Sequence, residues 1–374
     1  MGTQHSAGLR VFSSCRVASA ATSIVWIALS LGGCPQVPSS STPGIDDNDN
    51  DSFDTAVPIY FSEGKTGFAG KINNESDVDM YDLGELSPGD RLVVDVQSTS
   101  GDLDPMAAVF DSRQYILAFN DDREPDSSNL NPLIDVIVHG TPGRFYLGVV
   151  AYYNSGSVGD YKVDIQITRQ VGIPDAEPQI VYLNWLGGNN VKIDNVGAFN
   201  LDPFDAADLG PYAGHTADMK DAIQTVVADR YADFNLILLN SDDDPVPSCP
   251  HSTVYFGGRS SNAFAIAEQV DPFNEDHTDN AIVFTDTFHD AFSGVTLGQM
   301  ATAIGNTTAH EIGHLLGLVH TKDCLDLMDT TCGNDSLLQL QVFKLAPLDD
   351  TIFPFGLQNS TELLEWAIGL ATGG

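Results

Sequence analysis

His310-Glu311-Ile312-Gly313-His314-Leu315-Leu316-Gly317-Leu318-Val319-His320 decides how the second half of this 374-residue chain is read. The apolar spacing of residues 297–316 predicts a helix, with Met300, Ile304, Ile312 and Leu316 close to one stripe that buries against a sheet. His310 and His314 are four apart, so on that helix their rings share a face, one turn above the other, opposite Ile312 and Leu316. Two imidazoles so placed reach one ion at about 2.0–2.1 Å. His320 joins them only if the chain leaves the helix and turns back, and Gly317 supplies that turn because glycine takes positive φ without a Cβ penalty. Glu311 projects beside the ion, where a carboxylate can take a proton from water. Three imidazoles, one carboxylate and one glycine at fixed offsets read as a metal centre with its base.

Outward from this stretch, residues 179–374 alternate strands with helices. Residues 180–186, 235–240, 253–256, 263–268 and 281–285 are strand candidates, and residues 216–231 read as a helix in which Thr216 is the cap and Met219, Ile223 and Val227 repeat every four residues. Residues 53–168 have a different texture. Short runs such as Arg91-Leu92-Val93-Val94-Asp95-Val96, Ile134-Asp135-Val136-Ile137-Val138, Phe145-Tyr146-Leu147-Gly148-Val149-Val150 and Tyr161-Lys162-Val163-Asp164-Ile165-Gln166-Ile167 alternate apolar with polar positions between glycine-bearing breaks. That pattern predicts an all-β sandwich. Residues 169–178, with two prolines and no period, form the linker.

The expected fold class is therefore multidomain, an all-β sandwich followed by an α/β (α+β) half with a mixed sheet. The charge balance, 52 acids against 16 basic residues and a net charge of −36, repels phosphate backbones and excludes nucleic acid as a partner. Only ten of the acids are Glu. Aspartate favours turns and oxygen-rich cation sites, so the acidity fits either solubility in salty surroundings or several bound calcium ions.

The spacing H-E-x-x-H-x-x-G-x-x-H resembles the metzincin signature. Met328, eight residues past His320 within Asp326-Leu327-Met328-Asp329, is similar to that family's Met-turn. The resemblance implies a zinc endopeptidase in which His310, His314 and His320 hold one Zn2+, Glu311 is the general base and Gly317 and Met328 give structural support. It implies a catalytic fold over residues 179–374 and an edge strand at 263–268 that pairs with an extended polypeptide substrate. Thr330 stands where astacins and serralysins carry a tyrosine ligand, and Thr321 follows the third histidine, which leaves the subfamily open. Zinc held by three neutral imidazoles keeps a fourth position for water and lowers its pKa towards about 7. Cys324 and Cys332 flank the Met-turn, and a bridge between them would close a nine-residue loop beneath the metal. Cys249 is then unpaired, bonded elsewhere or a zinc-blocking thiol.

In the first half, Asp54-Thr55-Ala56, Asp77-Val78-Asp79-Met80-Tyr81, Leu103-Asp104-Pro105, Asn120-Asp121-Asp122 and Gly159-Asp160-Tyr161 occur in an order that resembles the bacterial pre-peptidase C-terminal (PPC) domain, a small β-sandwich attached to secreted peptidases. Some members bind Ca2+, which marks Asp77, Asp79, Asp121 and Asp122 as either calcium ligands or ordinary turn acids.

The first residues read as an address. Arg10 and Arg16 precede an apolar run over residues 17–31, too short for a membrane span and suited to a secretory signal. Leu31-Gly32-Gly33-Cys34 resembles the bacterial lipoprotein cleavage box, which implies removal of residues 1–33, acylation of Cys34 and a lipid anchor in the cell envelope. Residues 34–52, rich in Pro, Ser and Asp, would be a flexible stalk. Two rivals stand beside the peptidase: a surface binding or adhesion protein with a vestigial metal site, and a zinc-dependent hydrolase of a non-protein substrate.

Overall fold

The computed structural model describes residues 50–123, 129–193 and 196–371. The expected signal peptide, the Cys34 anchor and most of the stalk lie outside these residues. No helix among the described residues is long and apolar enough to cross a membrane.

Among the described residues nine strands come first: β1 (Val57–Pro58), β2 (Lys65–Ile72), β3 (Val78–Leu86), β4 (Arg91–Ser98), β5 (Pro105–Asp111), β6 (Ile116–Asn120), β7 (Leu133–Ile137), β8 (Gly143–Ala151) and β9 (Gly159–Thr168). They form two sheets, ordered β1-β3-β8-β5-β6 and β2-β9-β4-β7, that close over a shared core including Tyr81, Val94, Val109, Leu147 and Val163. In the second sheet, β9 buries every other residue, as its alternating sequence dictates for a sheet with one wet face. The first sheet breaks that rule: β3 and β5 are buried on both faces over most of their length. Its outer face is covered by the second half of the chain. Met80, Met106, Phe110 and Val150 share one apolar cluster with Val319, Leu348 and Phe353.

The second half contains β10 (Gln179–Asn184), β11 (Gly188–Ile193), β12 (Gly197–Leu201), α1 (Thr216–Arg230), β13 (Leu236–Asn240), β14 (Ser252–Phe256), β15 (Ala265–Ala267), β16 (Asn280–Val283), α2 (Thr285–Ala291), α3 (Leu297–His314), β17 (Leu345–Pro347), β18 (Leu357–Asn359) and α4 (Ser360–Ile368). The main sheet runs β13-β10-β14-β16-β15. Its first four strands are parallel, and β15 is an antiparallel edge. Helices α1 and α3 pack together, with Tyr231 Oη donating to Ala309 O at 2.9 Å and Arg230 Nε donating to Asn306 Oδ1 at 3.0 Å.

Two sequence expectations need correcting here. Thr216 is the first residue of α1, not its cap: His215 holds the cap position, and the Thr216 hydroxyl donates to Asp205 Oδ1 at 2.7 Å. In α3 burial is not confined to one stripe. Every residue from Ala303 to Ala309 is buried, because α1, the sheet and the segment after the helix enclose it on several sides.

The Phe353 ring meets Phe110 edge-on, with centroids 5.1 Å apart, and both are fully buried. Replacing Phe353 with Ala is expected to cost about 3–5 kcal/mol. Hydrogen exchange in urea should then show β4 and α1 losing protection together, at a lower denaturant concentration than in the wild type.

Candidate metal centre

Helix α3 is set at its start by Thr296, whose hydroxyl oxygen accepts from Gln299 N at 3.3 Å while the Gln299 carboxamide oxygen accepts from Thr296 N at 3.0 Å. At its end Gly317 N donates to His314 O at 2.9 Å and Leu318 N donates to Gly313 O at 2.9 Å, the paired bonds of a Schellman turn. Gly317 has φ of 91°, and a Cβ there would sit 2.8 Å from Pro272 Cα. The turn therefore needs glycine for both its dihedral and its packing. It sends the chain back so that His320 faces the two helical histidines.

The three rings converge. His314 Nε2 lies 3.1 Å from His310 Nε2 and 3.0 Å from His320 Nε2, and all three ligand atoms fall within 4.8 Å of one another. Two ligands of a tetrahedral ion at about 2.0–2.1 Å stand about 3.3 Å apart, so the cage fits zinc. The far side of two rings is fixed: His310 Nδ1 donates to Leu327 O and His314 Nδ1 to Leu318 O, each at 2.8 Å. Those bonds point the unprotonated Nε2 atoms at the centre. Burial and the neighbouring imidazoles drive the His314 pKa well below its ordinary value, and burial, with help from His310, takes His320 down to about 3. Three neutral donors are what a cation site requires.

Glu311 is buried beside them. Burial pushes its pKa up to about 8, against the opposing effect of a hydrogen bond from the Ala267 backbone. Ala267 belongs to the edge strand. Phe264 O and Glu268 N bond inward to Phe284 N and Asn280 O, so residues of the other parity, Ala265 and Ala267, turn their peptide groups off the sheet edge. The carboxylate and the open edge thus share one side of the sheet.

Met328 is fully buried under the rings, in the space that the absent side chain of Gly313 leaves: a Cβ on Gly313 would come within 2.7 Å of its Sδ. A short ladder ties this turn to the third ligand, with Thr321 N donating to Met328 O at 2.9 Å and Thr321 Oγ1 donating to buried Asp326 Oδ2 at 2.8 Å. Cys324 and Cys332 are joined in a disulfide with Cα atoms 5.5 Å apart, closing the loop that carries both Leu327 and Met328. Among the described residues, the histidine cage does not include Cys249.

Sequence reasoning missed several supports: Thr321, Asp326 and Asp349, whose amide donates to His320 O at 3.0 Å, and Gln358, considered below. Asp326 stood in the quoted Met328 segment, but nothing local marked it as the partner of Thr321. Among the acids marked in the sandwich, Asp77 accepts from Asn73 N at 2.6 Å and Asp79 from the Tyr161 hydroxyl, both inside the fold. Asp121 Oδ1 accepts from Asp122 N at 2.9 Å, and burial together with Asp121 raises the pKa of Asp122. Besides the histidine cage, the one other convergence of three metal-type ligands among the described residues is Asp329 with the two disulfide cysteines.

No protein-family profile matches the chain, and no curated protein does. Solved structures give faint likenesses. Archaemetzincin from Methanopyrus kandleri is similar over 52% of this chain and 97% of its own, at 10% identity and a TM-score of 0.29. A zinc-dependent peptidase from Methanocorpusculum labreanum covers 43% and 93%, at 15% and 0.26. The pre-peptidase C-terminal domain of Bacillus anthracis collagenase covers 30% and 94%, at 17% and 0.23. Scores this low leave function to the geometry of the site itself.

Replacing both Cys324 and Cys332 with Ser is expected to remove about 2–3 kcal/mol of stability, the loop-closure value for so short a loop, read from urea unfolding of metal-free protein. A second expectation concerns Asp279, in the loop between β15 and β16. Burial raises its pKa from 3.8 to about 8, opposed by a 2.8 Å bond from Ser252 Oγ. The folded chain therefore holds a proton that the unfolded chain has released. Asp279 therefore contributes stability to the metal-free protein that is lost as pH rises from about 4 to about 8, and in a thermal-melt series Asp279→Asn should remove that contribution, so that the difference between variant and wild type changes with pH over this range.

Proposed function

We propose that this chain is an exported zinc endopeptidase of the metzincin type, with Glu311 as its general base and a PPC-like sandwich as its first half. The observation that carries the reading is the convergence of three neutral imidazole Nε2 atoms beside a buried carboxylate and an open sheet edge. His310, His314 and His320 would hold the ion. Bound zinc supplies a Lewis acid for the scissile carbonyl and lowers the pKa of water in its coordination sphere towards about 7.

The chain's own groups do the rest. Extended polypeptide lies along β15, where the outward N–H and carbonyl of Ala265 and the outward carbonyl of Ala267 offer a ladder to a guest strand. Glu311 takes the proton of the attacking water on its carboxylate and passes it to the nitrogen of the leaving amine. The Ala267 amide keeps the carboxylate aimed at that task. For location, we read the Arg-flanked apolar run and Leu31-Gly32-Gly33-Cys34 as a lipoprotein signal, which tethers the chain to the bacterial envelope through Cys34.

Glu311→Gln should lower hydrolysis of a casein-type substrate by about 10²–10⁴-fold while zinc content, measured by elemental analysis, stays at one per chain. A variant as active as wild type removes Glu311 from the mechanism. Chelation should abolish cleavage, and restored zinc should return it. If surface adhesion persists and no peptide is cut in either state, the binding-protein reading holds instead.

A further inference from the structure

His310 and His314 ride on a helix, and each has a carbonyl that fixes its far nitrogen. His320 has neither support among the described residues, so its place depends on the backbone that carries it. Directly before it, Val319 gives both peptide groups to one side chain: its N–H donates to Gln358 Oε1 at 2.8 Å, and its carbonyl accepts from Gln358 Nε2 at 2.9 Å. Gln358 is fully buried, and its second Nε2 proton goes to Ser360 Oγ at 3.2 Å. Only a primary amide offers an acceptor and two donors at this spacing. A hydrocarbon of the same size would leave two buried peptide groups orphaned.

Gln358 is in turn held from the first half of the chain. It sits on β18, paired with Ala346 of β17, and the neighbouring Leu357 N–H donates to Gln114 O of the sandwich at 3.0 Å. The Val319 side chain enters the cluster that Phe353 shares with Phe110.

We propose that Gln358 is a positioning residue for the third metal ligand, and that through it the sandwich braces the metal centre. The inference rests on the zinc reading above. It does not require that the substrate be a protein. Outer supports of this kind change metal affinity by about 10–100-fold when lost.

The test uses the whole chain and cobalt(II) as the probe, with affinity read by competition against a chelator and geometry read from the visible absorption of the bound ion. Gln358→Met should weaken cobalt affinity by about 10–100-fold and alter the absorption bands, while circular dichroism of the metal-free variant matches wild type. If Gln358→Met does not fold, Gln358→Asn, one methylene too short to make both bonds, carries the same comparison with a smaller loss. A purely structural role would lower the metal-free melting temperature and leave affinity and spectrum alone, and that result overturns the proposal. A wild-type chain that takes up neither cobalt nor zinc overturns the metal reading itself.

Discussion

Three imidazole nitrogens about 3 Å apart, inside protein, are a constraint that the surrounding structure has to satisfy. Desolvation disfavours the charged form of each. The neighbouring carbonyls answer this by taking the outer N–H groups. Leu318 does so from the turn that follows the helix, and Leu327 from the disulfide-closed loop. The Schellman turn, the glycine at its corner and the methionine beneath are ways of getting those carbonyls and the third ring to one point.

Much of this was legible because it is local. Offsets of four and six residues along a helix and a tight turn translate directly into geometry, so the histidines, Gly317 and Met328 were found from spacing and resemblance. The sandwich was legible where it faces water. Strands β4, β7 and β9 alternate because one of their faces is wet, and they were read as strands. Strand β5, Pro105–Asp111, nearly continuous in apolar residues and covered on both faces, lacks that alternation and was not among the runs read as strands.

What stayed hidden is non-local. Gln358 lies 39 residues from Val319, and a glutamine near the end of a chain has no pattern that announces two buried peptide bonds. Asp326 reaches Thr321 only through a loop whose shape the disulfide sets. The helix stripe was read too narrowly for a related reason: hydrophobic periodicity reports the face that meets the first neighbour, and α3 has several. His215 in place of Thr216 at the start of α1 reflects competition, since the threonine hydroxyl is used by Asp205 in the preceding segment.

The apolar seam along the outer face of β3, β5 and β8 bears on how such a chain can be rearranged. A fusion partner joined by a bare linker can be cut away or transplanted with little loss, because few oily groups cross the joint. Here Met80, Met106 and Phe110 on one side and Val319 and Phe353 on the other would all be handed to water. Severing the chain at residues 169–178 would therefore leave two sticky fragments, and grafting a different sandwich onto the second half would require a new one with a matching oily flank.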